Sequence, residues 1–309
     1  MMSNRVIIGS DPEFFIVNKE TGDLVSAIPF IKGSKEKPVP LPHGGNIQSD
    51  NVAVEFATMP MKDAYTFADH MKMTLLDTMA SLPVGHDLLV APSAVFPDSQ
   101  LKDPKAKQFG CMPDCCAWDL CYNEAPRHPN EKFRSCGGHI HIGCVNLDGS
   151  PVHEDSQFLL EGMGKVRMVR GMDLFHGVIS TLFDHSHEAI ERRLLYGKAG
   201  CHRPKEYGVE YRALSSWWTK SPNSSMLMAS LVEDVIDVII SGKLEEMIDQ
   251  VTPGVIRNTI NNGDVEKAKE ILETTLMEHL SEDSKYFLEE CQSAKESLKV
   301  NALSSSWGL

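Results

Sequence analysis

Two histidines stand two residues apart in Cys136-Gly137-Gly138-His139-Ile140-His141-Ile142-Gly143. The alternation of imidazole and branched side chain has the period of a strand. It puts His139 and His141 on one face and Ile140 and Ile142 on the other. Such a strand buries its isoleucines and offers two imidazoles as a polar floor, and the flanking glycines let a ligand or another backbone come close. Three further segments carry acids at strand spacing. Asp11 and Glu13 are two apart in Gly9-Ser10-Asp11-Pro12-Glu13-Phe14. Glu55 lies among small residues in Asp50-Asn51-Val52-Ala53-Val54-Glu55-Phe56, with Val52, Val54 and Phe56 on the opposite face. Glu210 and Arg212 share a face in Val209-Glu210-Tyr211-Arg212. Carboxylates held close together repel unless a cation lies between them, and a guanidinium beside them suits a phosphate. Each segment taken singly also fits a solvated sheet edge.

Upstream of Glu210 stand Arg192, Arg193, Lys198, His202 and Arg203. A basic stretch in an acidic protein invites an anionic ligand. Arg192 and Arg193 fit the cationic end of a helix equally well. Arg203, between Gly200 and Pro204, is the better ligand candidate.

The whole chain limits what these residues can serve. Its 309 residues suit one large domain or two modest ones, and 42% hydrophobic with 24% charged residues is a soluble globular composition. With 30 basic and 43 acidic residues the formal charge is −13, which argues against nucleic acid or an anionic membrane as partner. The longest apolar runs are too short to span a bilayer, and the N-terminus leads into a strand, so a cytoplasmic protein is expected. Cys111, Cys115, Cys116 and Cys121 lack the paired two-residue gaps of a zinc site and are expected to be reduced thiols.

The elements that must position these groups read as α+β. Strands are expected over 6–17 (with a turn or bulge at Ser10-Asp11-Pro12), 24–31, 50–58, 88–96, 138–145 and 209–214. Helical spacing covers 61–82 and 158–183. Segments 32–49, 97–135 and 199–208 read as loops. After Pro222 helices run on, with Asn262-Gly263-Asp264 as a stop and restart, and the tail from Ser304 is expected to be unfixed. An antiparallel-leaning sheet with helices on one face over 1–220, and a helical region over 221–309 packed on it, follows.

The ordered set resembles the glutamine synthetase and γ-glutamylcysteine synthetase superfamily, and within it the carboxylate–amine ligases of tailed bacteriophages. The likeness is carried by Gly9 to Phe14, Asp50 to Phe56, Phe109-Gly110-Cys111, Arg134 to Gly143, Tyr196 to Gly200 with Arg203, and Glu210-Tyr211-Arg212. It spans roughly residues 5 to 220. The resemblance implies a catalytic sheet of the glutamine synthetase type and an ATP-dependent carbon–nitrogen ligase working through an acyl phosphate. It implies Mg or Mn held by Asp11, Glu13, Glu55, His139 and Glu210. His141 would bind nucleotide or substrate or orient His139. Arg203 and Arg212 would neutralise phosphates, with Arg134 as a further candidate for phosphate or substrate. The partners implied are a carboxylate and an amine, small molecules or peptides, in the host cytoplasm if the chain is phage-encoded; an oligomer is compatible. The first motif has Asp11 where glutamine synthetase tends to carry glutamate, and one convincing acid stands on the second strand.

Other readings use the same residues. A metal-dependent amide hydrolase also employs His-x-His, but gathers more histidines from later strands, where this chain has Glu210 and Arg212. His185-Ser186-His187 falls at a helix, where its imidazoles would diverge by about 200°, and reads as a cap or surface feature. A phosphotransferase to a guanidino group and a non-catalytic binding protein are the remaining alternatives.

Overall fold

The computed structural model describes residues 5–107, 114–124, 127–295 and 303–309. The Phe109-Gly110-Cys111 motif lies outside them. One sheet organises the chain. Its order is Val39–Pro40, Asn46–Asp50, Ala53–Ala57, Ile7–Asn18, Gly138–Gly143, Gly208–Tyr211, Cys201–Lys205, Cys115–Cys116 and Cys121–Tyr122. Leu24–Val25 and His86–Leu89 pair with the far end of Ile7–Asn18. Each of these pairings is antiparallel.

The alternation in the strands decides the layers. Ile8, Phe14, Ile140, Ile142, Val209 and Tyr211 are buried in one core with Met172, Phe175, Leu231 and Val235 from two long helices. The first of these begins at Gly162 and reaches Thr181 through a π-helical turn at Asp173–Gly177. The second, Pro222–Ile240, starts with proline in its first turn and a reciprocal Ser221/Ser224 capping box. Ala64–Ala80, capped by Asp63 accepting from the Thr66 N–H, packs on the second helix. The helices Leu244–Val251, Pro253–Asn262, Val265–Ile271 and Glu282–Ser293 follow. Gly263 in the left-handed region (φ 65°) ends the second of these, and Asp264 caps the third. Among the described residues no helix is long and apolar enough to cross a membrane.

Several elements differ from the sequence reading. No turn interrupts Ser10-Asp11-Pro12; Ile7–Asn18 runs through as one strand. Residues 50–58 are not one strand. The chain reverses at Asn51 (φ 55°), a residue type that tolerates left-handed backbone, and the expected loop 32–49 supplies the partner Asn46–Asp50. The expected loop 199–208 contains the strand Cys201–Lys205. Its Pro204 is tolerated because the outer neighbour pairs only with Cys201 and His202. Of 24–31 only Leu24–Val25 is strand, and 88–96 divides into His86–Leu89 and Ser93–Val95. The tail is docked. Leu303–Trp307 is helical, and the Trp307 indole is 3% exposed and donates to the Thr219 carbonyl at 2.7 Å.

Candidate active site

The polar face of the sheet is assembled by register. Glu13 lies opposite Glu55, and Glu55 opposite Gln48. Asp11 lies opposite His139, His141 opposite Glu210, and Glu210 opposite Arg203. Paired residues point to the same side of a sheet, so five strands aim their charged groups at one area. The glycines before His139 leave room for close neighbours, backbone at one and the His139 ring at the other. A Cβ on Gly138 would lie 2.4 Å from the Ser215 carbonyl oxygen, and one on Gly137 would lie 2.3 Å from the His139 ring.

Two groups of potential ligand atoms form there. Oxygens of Glu13, Asp50 and Glu55 lie within 4.8 Å of one another. Glu13 accepts the Gly137 N–H at 2.6 Å, and Glu55 accepts from the Gln48 amide at 2.8 Å. Burial and then the Asp50 charge push the Glu13 carboxyl up. Burial, then Asp11, Glu13 and Asp50, push Glu55 well above the usual carboxylate range. Glu13 and Glu55, which resist ionisation in this half-buried group, are what a hard divalent cation would relieve, and an all-oxygen donor set fits one.

The second group is Asp11, His141 and Glu210, again within 4.8 Å. Asp11 Oδ1 is 3.1 Å from His141 Nε2 and 3.2 Å from His139 Nδ1. Burial opposes ionisation of Asp11, but His141 and His139 outweigh it and hold its carboxyl well below the usual range. Burial lowers and Asp11 more than restores the basicity of His141, which ends raised. Its Nδ1 is 2.6 Å from the Tyr207 hydroxyl. The His139 ring is 5% exposed, and its Nδ1 also lies 3.1 Å from Arg212 Nη1. His141 is the imidazole grouped with Asp11 and Glu210, and His139 Nδ1 lies 3.2 and 3.9 Å from oxygens of the same two acids. One imidazole among carboxylates fits a divalent transition metal as well as magnesium.

Cations surround Glu210. Arg212 Nη1 contacts its Oε1, Lys205 Nζ lies 2.6 Å from its Oε2, and Arg203 Nη1 is 3.8 Å away. Burial and Asp11 would raise Glu210, yet Arg212, His139 and His141 bring it down to about 2. A cavity of about 500 Å³ opens next to Asp11, Glu55 and His141. Ile7, Pro60, Val145 and Leu147 form apolar walls, and Asn46, Gln48, Thr58 and Asn146 add neutral polar groups.

Asp11, Glu13, Glu55, His139, His141, Arg203, Glu210 and Arg212 thus lie in one neighbourhood. Arg134 is 5% exposed and turned to other work. It donates to the carbonyls of Ala106 (2.5 Å), Phe133 (2.6 Å) and Glu131 (2.8 Å) and to Asn51 Oδ1 (3.0 Å). These contacts tie it to the hairpin turn behind Asp50. Arg192 and Arg193 are buried: Arg192 donates to the Ala213 and Leu214 carbonyls, and Arg193 pairs with Asp184 at 3.3 Å. Ser186 caps the helix that starts at His187, as its motif suggested.

Sequence reasoning missed Asp50, Asp114, Lys205 and Tyr207. Asp50-Asn51 is a turn signal. Read as a hairpin it would have put Asp50 and Gln48 on the face of Glu55. Lys205 shares the face of Arg203 once 201–205 is a strand. Asp114 and Tyr207 carry no local signal.

Residues 124–290 match the family model described as phage phiEco32-like COOH.NH2 ligase-type 2. No curated protein matches the chain. Among solved structures, a bifunctional glutathione synthetase from Pasteurella multocida is similar at 10% identity and a TM-score of 0.40, over 96% of this chain and 52% of that one. A glutamine synthase homolog is similar at 12% identity and a TM-score of 0.37, over 94% of this chain and 70% of that one. This chain thus spans about half the length of the glutathione synthetase. Neither likeness is close enough to assign the fold or the chemistry.

Proposed function

The chain belongs to the phage phiEco32-like COOH.NH2 ligase-type 2 family, whose members are carboxylate–amine ligases, and from this premise we propose that it forms an amide or peptide bond at the cost of ATP. The observation that carries the reading is the convergence of two carboxylate groups and three cations on one face of the sheet. A carboxylate is a poor acyl donor. Its oxygen attacks the γ-phosphorus of ATP, the bond to ADP breaks, and an acyl phosphate results. The amine nitrogen then attacks the acyl carbon, phosphate leaves with the bonding pair, and the amine gives up a proton.

This chain's residues would divide the work by charge. Glu13, Asp50 and Glu55 would hold one divalent cation; Asp11, Glu210 and an imidazole of the His139–His141 pair would hold another. Bound magnesium or manganese supplies charge neutralisation and orientation to the phosphate oxygens. Arg203 and Arg212 face the charge that builds on the transferring phosphoryl group, and Lys205 joins them from the same strand face as Arg203. The cavity beside Asp11 and His141 has apolar walls and neutral amides, which suit the uncharged part of a nucleotide. A sheet of the glutamine synthetase type over 1–220, with 221–309 as a helical support, belongs to the same proposal.

The test is hydroxamate formation. Purified protein with Mg·ATP or Mn·ATP, hydroxylamine and a panel of carboxylates should release ADP and yield a hydroxamate with at least one acid. Glu13→Gln should abolish both products and leave the fold intact. Hydroxamate formation without nucleotide would favour an amidase over a ligase, and ADP release unaffected by Glu13→Gln would remove that residue from the site.

A further inference from the structure

Arg203 and Arg212 each reach Glu210, yet in the proposed reaction Glu210 would also have to serve a cation. Its two oxygens already meet Arg212, Arg203 and Lys205. If Glu210 alone held the arginines, every change in its coordination would move them. A second carboxylate takes the other side. Asp114 Oδ1 lies 2.9 Å from Arg212 Nε and 3.3 Å from Arg203 Nε. Asp114 is 6% exposed and belongs to neither group of ligand atoms. Both guanidiniums are thus bracketed: their Nε edges meet Asp114, and their Nη ends point toward Glu210. Two like charges packed together repel, and a buried carboxylate placed between their Nε atoms as an ion pair offsets this and keeps both guanidiniums at that spot, with their Nη atoms on the Glu210 side.

Asp114 is itself held from outside the polar face. The Asn123 N–H donates to its carbonyl at 2.7 Å, and Cys115–Cys116 and Cys121–Tyr122 form a hairpin on the sheet edge. The loop of that hairpin is tied at three points. The Trp118 indole donates to Asp173 Oδ2 at 2.6 Å. Arg170 Nε donates to the Ala117 carbonyl at 3.0 Å. Arg257 grips both oxygens of Asp119, at 3.0 and 2.7 Å. The hairpin presents one buried carboxylate to two arginines.

We propose that Asp114 is a positioning residue that holds Arg203 and Arg212 toward the γ-phosphate of the bound nucleotide. The inference rests on the ligase reading above. It is tested by comparing two probes, Mg·AMP-PNP and Mg·ADP, in calorimetric titrations of wild type, Asp114→Asn and Asp119→Asn. Asparagine keeps the shape and removes the charge. Asp114→Asn should weaken AMP-PNP by roughly 10-fold, the order expected when a charge-assisted contact is lost. ADP, which has no γ-phosphate, should change by less than about 2-fold. Asp119→Asn alters the same hairpin at an exposed pair and touches neither arginine, so it should bind both nucleotides as wild type does. Equal weakening of both nucleotides by Asp114→Asn, loss of folding in that variant, or the same pattern in Asp119→Asn would each assign Asp114 a merely structural role and overturn the proposal. Unchanged AMP-PNP binding in Asp114→Asn would do the same. A wild type that binds neither nucleotide would instead remove the ligase reading, and this inference with it.

Discussion

Replacing Asp173 with asparagine should change how stability depends on pH. Asp173 is fully buried in the π-helical turn and accepts from the Trp118 indole at 2.6 Å and the Tyr211 hydroxyl at 2.8 Å. Desolvation outweighs both donors and pushes its carboxyl up from 3.8 to about 7. A folded protein that keeps this proton longer than the unfolded chain gains stability that is complete below about pH 4. That gain is lost as pH rises through about 7. At 1.36 kcal/mol for each tenfold change in proton affinity this amounts to about 4 kcal/mol in all, of which somewhat under 3 kcal/mol falls between pH 5 and 8. Asparagine does not titrate. The stability of Asp173→Asn relative to wild type should therefore move in the variant's favour by about 3 kcal/mol between pH 5 and 8. His176, three residues on, works in the opposite sense. Burial lowers it to about 4, so its contribution is complete above about 6.5 and fades as pH falls toward 4. Both proteins contain His176, so its contribution cancels in the difference. Urea denaturation of the two proteins at pH 5, 6, 7 and 8 measures the quantity. A difference that stays constant over this range would show that the folded carboxyl is not raised.

Two other expectations concern the acid group and the tail. Glu55→Gln should raise the melting temperature of the protein in EDTA, because it removes one of the acids that Asp11, Glu13 and Asp50 push up and still accepts from Gln48. Magnesium at 100 times its Kd should stabilise wild type by about 2.7 kcal/mol and Glu55→Gln much less, read by thermal melts with and without the ion. Trp307→Ala should cost about 3 kcal/mol in a denaturation curve, since it empties a buried site and leaves the Thr219 carbonyl without its donor. A loss under 0.5 kcal/mol, the usual range of a surface change, would mean that the tail is not docked in solution.

The periodicity of Gly138 to Ile142 and Val209 to Arg212 made the α+β class and the shared faces legible before any coordinates, because side-chain direction in a strand depends only on parity. The same rule failed at Asp50-Asn51 and at 199–208. There a left-handed Asn51 and a strand proline carried the decision, and neither leaves a periodic trace. Arg134 shows the limit for single residues. Its type fits a phosphate, but its surroundings supply four acceptors and use it as a clamp.

What the amino-acid sequence determined by itself was local: which residues alternate, where helices begin and stop, and which chemical groups are on hand. Tertiary structure decided which of those groups meet. Asp114 reaches Arg212 across 98 residues of chain, and Asp50 joins Glu13 through a hairpin and a strand pairing. Registers between strands, and the contacts that anchor one hairpin on distant helices, depend on packing over the whole core. No short window of sequence contains that information.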